Sequence, residues 1–138
     1  MILYFDASAV VKLLLVERGS NEARRLWNAD APVLTSWMTF AEVSAAIGRA
    51  RRAQRISARR AFTALRSLEA EWPSVHPIDA EEVTGRYAGQ LANRHGLRGT
   101  DAVHLASALL VGVARPVMVT WDKDLRRAAS AEGLAVAV

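Results

Sequence analysis

Four acidic residues, Asp6, Glu42, Asp101 and Asp122, each stand just beyond a short apolar run or at the head of a segment with helical spacing. Taken singly, each has an ordinary structural use. Asp6, Asp101 and Asp122 suit helix N-caps, and Glu42 suits a first helical turn, where negative charge complements the dipole. Taken together they point to chemistry. Two carboxylates about 4 Å apart repel by roughly 4 kcal/mol at an effective dielectric of about 20, so an unpaired cluster must bind a cation or take up protons. The chain has no cysteine, so the donors on offer are mainly oxygens. These suit hard Mg²⁺ or Mn²⁺, held by a few carboxylates, waters and a substrate phosphate. Such a cation serves phosphoryl chemistry: it neutralises the scissile phosphate and lowers the pKa of a water for in-line attack. Helix N-termini at the same edge would add donors for phosphate oxygens.

For the four acids to meet, the elements around them must bring distant segments to one edge. Short apolar runs predict strands at Ile2 to Phe5, Val33 to Thr35, Val75 to Ile78, Val117 to Thr120 and Leu134 to Val138. Helical spacing marks three buried stripes between them: Phe40, Val43, Ile47 and Ala50; Phe62, Leu65, Leu68 and Trp72; Val83, Tyr87 and Leu91. Ser57 and Asp79 are expected N-caps, with Glu81 and Glu82 in a first turn, and Gly96 and Gly133 are expected helix stops. Strands separated by helices predict right-handed crossovers and a mainly parallel five-stranded sheet covered on both faces, an α/β fold. In such a sheet the functional crevice lies beyond the carboxyl ends of the strands, where these acids fall.

Composition narrows the classes further. The chain of 138 residues is 51% hydrophobic, which predicts one core and one domain over 1–138. Absent cysteine excludes a disulfide scaffold, a thiolate zinc site, an iron-sulfur cluster and a cysteine nucleophile, and it fits the reducing cytoplasm. The opening Met1-Ile-Leu-Tyr-Phe-Asp6 lacks the pattern of a secretory signal. The longest mostly apolar segment, Ala102 to Ala114, falls short of the roughly 20 residues that span a bilayer, so a buried helix and no membrane partner are expected. No P-loop or GxGxxG occurs, so no nucleotide cofactor is indicated.

Four segments occur in order: Asp6-Ala-Ser-Ala-Val-Val-Lys, Thr39-Phe-Ala-Glu42-Val, Gly99-Thr-Asp101-Ala-Val-His-Leu-Ala and Thr120-Trp-Asp122-Lys-Asp-Leu. Together they resemble the motifs of PIN-domain ribonucleases, most closely the VapC toxins of type II toxin-antitoxin pairs, over essentially the whole chain. The resemblance implies a PIN-like three-layer α/β/α sandwich and a Mg²⁺- or Mn²⁺-dependent endoribonuclease. It also implies a homodimer and a cognate VapB-like antitoxin that blocks the active site. Carried across residue by residue, Asp6 and Asp101 match the main metal-binding aspartates, Glu42 the second acidic position and Asp122 the fourth. Asp124 is a weaker match, since a first-turn dipole partner is expected there.

Other residues keep two readings open. Ser8 and Thr120 either orient a metal ligand or water, or serve as a cap or strand-end hydrogen bond. Of the 18 cations 16 are Arg, and Arg49, Arg51, Arg52, Arg55, Arg59, Arg60 and Arg66 lie in a stretch with no acid between Glu42 and Glu69. A solvated helix face normally mixes signs, so this run predicts a surface for RNA backbone or for an acidic antitoxin segment. His104 either touches the groups behind the site or, more commonly in an apolar helix, is a hydrogen-bonded core histidine. His76 and His95 show no partner in the sequence. Trp37 and Trp121 flank the acids, and packing is expected of them before base stacking, as of Trp27 and Trp72. Competing functions are a housekeeping PIN nuclease and a non-catalytic basic RNA-binding or regulatory module. A haloacid-dehalogenase-like phosphatase would want an aspartate where Ser8 stands, and a metal-free ribonuclease would want a histidine pair.

Overall fold

Alternation in Leu3-Tyr4-Phe5 sends Leu3 and Phe5 to one face of a sheet and Tyr4 to the other, and all three are buried. The computed structural model describes residues 1–79, 81–112 and 114–138. Its strands are β1 (Leu3–Phe5), β2 (Val33–Ser36), β3 (His76–Ile78), β4 (Val117–Val119) and β5 (Val136–Ala137). They form one sheet in the order β3-β2-β1-β4-β5 with every pairing parallel. The central β1 sets Leu3 opposite both Val33 and Val117, and Phe5 opposite Val119.

Helices α1 (Ala7–Leu14), α2 (Ser20–Trp27), α3 (Thr39–Arg52) and α4 (Ala58–Glu71) cover the Leu3 and Phe5 face. Helices α5 (Glu82–His95), α6 (Gly99–Leu110) and α7 (Lys123–Ala131) cover the Tyr4 and Met118 face. This is the expected three-layer sandwich. Because the sheet is parallel, α1, α3 and α7 begin where β1, β2 and β4 end, so their N-termini gather at one edge. Among the described residues no helix is long and apolar enough to cross a membrane. The apolar stretch expected to be a buried helix is α6, and of that stretch residue 113 lies outside the described residues.

Several local expectations hold. The Ser57 side chain accepts the Arg60 N–H at 3.1 Å, and Gly96 closes α5 at φ 66°, a left-handed conformation that favours glycine. Others are corrected. Asp79 does not cap α5; Glu81 holds that position without a side-chain cap bond. The buried face of α4 is Ala61, Ala64 and Leu68, while Phe62 is 67% exposed and Leu65 is also exposed. Likewise Thr84, Ala88 and Leu91 face inward from α5, and Val83 faces outward. In both helices small residues are buried, and large apolar ones one position away are left outside.

The α4 result makes a testable contrast. Leu68→Ala empties a buried site and is expected to cost about 2–5 kcal/mol. Phe62→Ala, on the outer face of the same helix, should change stability by no more than about 0.5 kcal/mol. Urea midpoints of the two variants measure this, and equal losses would contradict the burial assigned to this helix.

Candidate active site

Asp6 follows the last residue of β1 and is the N-cap of α1, with its Oδ1 accepting the Ala9 N–H at 3.0 Å. Its side chain is turned into the protein, leaving the residue 3% exposed. Ser8 Oγ lies 2.8 and 2.9 Å from the two carboxylate oxygens, and Thr120 Oγ1 donates to Oδ2 at 2.8 Å. Both hydroxyls are satisfied from behind, Ser8 accepting the Trp121 N–H at 2.9 Å and Thr120 the Asp122 N–H at 3.1 Å. Three hydrogens therefore meet a carboxylate with about four acceptor positions, which leaves one for a cation. Burial pushes the Asp6 carboxyl above the ordinary carboxylate range. The charge on His104 when that ring is protonated, and the donors from Ser8, Ala9 and Thr120, oppose the rise without cancelling it.

Glu42 sits in the first turn of α3. Two buried threonines anchor the start of this helix: Thr35 Oγ1 donates to the Phe5 carbonyl at 2.6 Å, and Thr39 Oγ1 lies 2.7 Å from Thr35 Oγ1. His104 Nε2 is 2.8 Å from Glu42 Oε2, and its Nδ1 is 3.2 Å from the Tyr4 hydroxyl. An ionised carboxylate only accepts, so Nε2 donates toward Glu42, and Nδ1 faces the Tyr4 hydroxyl. Burial drives the Tyr4 phenol well above its usual range, which keeps it a donor. His104 is thus the buried core histidine expected, and it also orients an acid of the site.

Asp101 lies in the first turn of α6, where Arg98, not an acid, holds the N-cap position. Asp122 caps α7 through Oδ1, which accepts the Leu125 N–H at 2.8 Å. One guanidinium joins the two acids: Arg98 Nε donates to Asp101 Oδ2 at 2.7 Å, and Arg98 Nη2 to Asp122 Oδ2 at 3.3 Å. An open cavity of about 540 Å³ brings together Asp6, Ser8, Glu42, Asp101, His104 and Asp122, with Arg49, Arg98 and Thr100 among its other walls. Asp124 does not line it; this carboxylate is exposed and pairs with Arg127 at 3.3 Å. Thr120 does not line it and reaches the site through Asp6, Asp122 and Ser8.

The donor set of this cavity is carboxylate oxygen, and Asp101 and Asp122 already share one positive group, so the chemistry of the donors suits a hard cation. As they stand, no three His, Asp or Glu side chains among the described residues are close enough together to hold an ion. Arg98 went unnoticed in the sequence, although a cation three residues before Asp101 was the available signal. Histidine 95 is not partnerless: its Nε2 lies 2.6 Å from Glu132 Oε1, tying α5 to the end of α7. Of the tryptophans, Trp37 is 51% exposed, contrary to the packing expected. Trp121 is covered, with Lys12 Nζ 5.4 Å from its ring centroid and Gly19 packed on its edge. A Cβ on Gly19 would stand 2.7 Å from Trp121 Nε1, and its φ of 95° also demands glycine.

The family model described as the PIN domain matches residues 3–131. The chain is 42% identical over 136 residues to Ribonuclease VapC49 of Mycobacterium tuberculosis strain H37Rv, covering 99% of this chain and 94% of that protein. It is equally similar, over the same shares, to Ribonuclease VapC45 of strain CDC 1551. A crystal structure of Mycobacterium tuberculosis VapC20, described as a toxin that cleaves the sarcin-ricin loop, superposes with a TM-score of 0.72 at 22% identity and covers 96% of each chain.

The raised Asp6 carboxyl has a consequence for the metal-free protein. Between the ordinary carboxylate range and the raised value, the native state holds a proton that the unfolded chain has released. Stability therefore falls as pH rises through that window. Asp6→Asn removes the titration and should flatten the dependence, read from urea midpoints between about pH 4 and about pH 8 in chelator. If the variant's midpoint tracks the parent's at every pH, the burden lies on another group.

Proposed function

This chain belongs to the PIN-domain family, with VapC ribonucleases as relatives, and from that membership we propose that it is a divalent-metal-dependent endoribonuclease, the toxin of a VapBC-type pair. The observation that carries the reading is the gathering of Asp6, Glu42, Asp101 and Asp122 on one open cavity at the carboxyl edge of the sheet. Residues 1–138 act as one PIN domain in this reading. Asp6 and Asp101 would hold Mg²⁺ or Mn²⁺, with Glu42 and Asp122 completing the oxygen set. When bound, the cation supplies charge neutralisation at the scissile phosphate and acidifies attacking water.

The chain's own side chains prepare the site for that chemistry. Ser8 and Thr120 fix the plane of the Asp6 carboxylate, and the Tyr4–His104 pair fixes Glu42. Each acid is therefore held before substrate arrives, which spares the reaction the cost of ordering it. Helix N-termini of α1, α3 and α7 offer backbone donors at the same edge for phosphate oxygens. Hydrolysis adds water across one phosphodiester bond, so the leaving sugar oxygen must gain a proton, which solvent at this open cavity can supply.

Arginines extend the reading away from the cavity. Arg49, Arg51, Arg52, Arg55, Arg59, Arg60 and Arg66 are all exposed, and none lies within 4 Å of a carboxylate among the described residues. Arg49 belongs to the cavity wall, and Arg51, Arg55 and Arg60 line a second hollow of about 620 Å³ at the α3–α4 turn. This run suits an RNA backbone leading to the acids. The toxin description of the VapC20 structure favours a VapB-like antitoxin as inhibitor; in this reading the chain would also act as a homodimer in the cytoplasm.

Cleavage of RNA should require Mg²⁺ or Mn²⁺, stop with chelator, and be lost in Asp6→Asn and Asp101→Asn. Parental cleavage by both variants would remove the site assignment. Thr120→Val and His104→Gln, which disturb only the support of an acid, should lower the rate about ten- to a hundredfold. For binding, replacing one backbone-contacting arginine such as Arg55 by Ala should reduce the slope of log K against log salt by about 1, measured on a cleavage-inactive background. An unchanged slope across these arginines would place RNA on another surface.

A further inference from the structure

Arg98 lines the acidic cavity and, among the described residues, is the one arginine paired with its acids. We propose that it is a resident counter-cation and positioning residue: its guanidinium holds Asp101 and Asp122 in place, competes with a divalent metal for the same two carboxylates, and is displaced when the metal enters. This rests on the metal-dependent reading above.

Three observations carry it. The two limbs use different nitrogens, Nε to Asp101 at 2.7 Å and Nη2 to Asp122 at 3.3 Å, so one planar group ties the start of α6 to the start of α7. Asp101 is only 8% exposed, and a carboxylate so poorly hydrated is costly without a positive partner. The Arg98 side chain is itself 76% exposed and makes no cap bond to its own helix, so nothing but the two acids holds it in the cavity. The other arginine of the wall, Arg49, has no carboxylate within 4 Å. Arg98 therefore occupies Oδ2 of both acids, and a metal that draws on those same two oxygens takes its place.

Two solvent-exposed limbs are worth about two- to tenfold in a competing affinity. The test is calorimetric Mn²⁺ binding to the full chain, comparing the parent with Arg98→Gln and Arg98→Lys at equal ionic strength. Both variants should bind Mn²⁺ about two- to tenfold more tightly. Lysine keeps the charge but loses the fork, so if only the Gln variant gains affinity, the effect is charge alone and displacement is wrong. A second readout uses the parent protein: the Arg98 Nε–H resonance should move to the position of a free arginine as Mg²⁺ saturates the site. A resonance that stays put, or unchanged affinities in both variants, overturns the role of Arg98 while leaving the metal site intact. A parent that binds no Mn²⁺ overturns both.

Discussion

A carboxylate buried at the end of the central strand is the constraint around which this protein is arranged. Asp6 cannot be buried cheaply as an anion, so its surroundings are three hydroxyl and amide donors drawn from two places: Ser8 and Ala9 in α1, and Thr120 beyond β4. Those donors are held in turn by the Trp121 and Asp122 amides. The strand end, the helix start and the neighbouring strand's exit are thereby locked to one another by a single charge. Neutralisation by a proton or a cation is the step that this arrangement leaves incomplete.

The parallel sheet makes the constraint useful. With β1 at the centre and β2 and β4 beside it, three helices begin at one edge, and the acids that cap or flank them share a cavity. Structural and chemical uses of these acids need not compete, because a carboxylate has two oxygens. Asp122 caps α7 with Oδ1 and meets Arg98 with Oδ2; Asp6 caps α1 with Oδ1 and meets Thr120 with Oδ2. The cap fixes the rotamer, and the fixed rotamer aims the second oxygen.

What could be read in the sequence follows from which forces are local. Strand runs, the Ser57 cap, the Gly96 stop and the order of the acids depend on near neighbours or on the fixed logic of parallel sheets, and they were legible. The α4 stripe was misread because Phe62, Leu65 and Leu68 share helical spacing, yet so do Ala61, Ala64 and Leu68. Periodicity finds the pitch of a stripe but not which of two adjacent stripes packs inward. Here α4 lies against α1 and α3, where small side chains permit close approach. The contacts Thr35–Phe5, Glu42–His104 and His95–Glu132 join residues far apart in the chain, and nothing in either partner's local pattern names the other.

Charge pairing supplies the last step. Arg25, Arg86, Arg98 and Arg127 each find an acid three or four residues away on their own helix. Among the described residues the seven arginines of 49–66 form no such pair: six have no acid three or four residues away, and Arg66 does not meet Glu69, three residues on in α4. The net charge of +4 therefore conceals an unneutralised basic surface and an acidic cavity that meet at Arg49. In the proposed reading, a phosphate backbone drawn to the first would be repelled by the second over distances within the Debye length of about 8 Å. Attraction and repulsion along one path mean that a polyanion can settle on the arginines without entering the cavity. In the proposed reading, entry also requires positive charge at Asp6 and Glu42, which Arg98 does not reach, so occupancy of the cavity by a cation would decide whether a bound strand reaches the carboxylates at all.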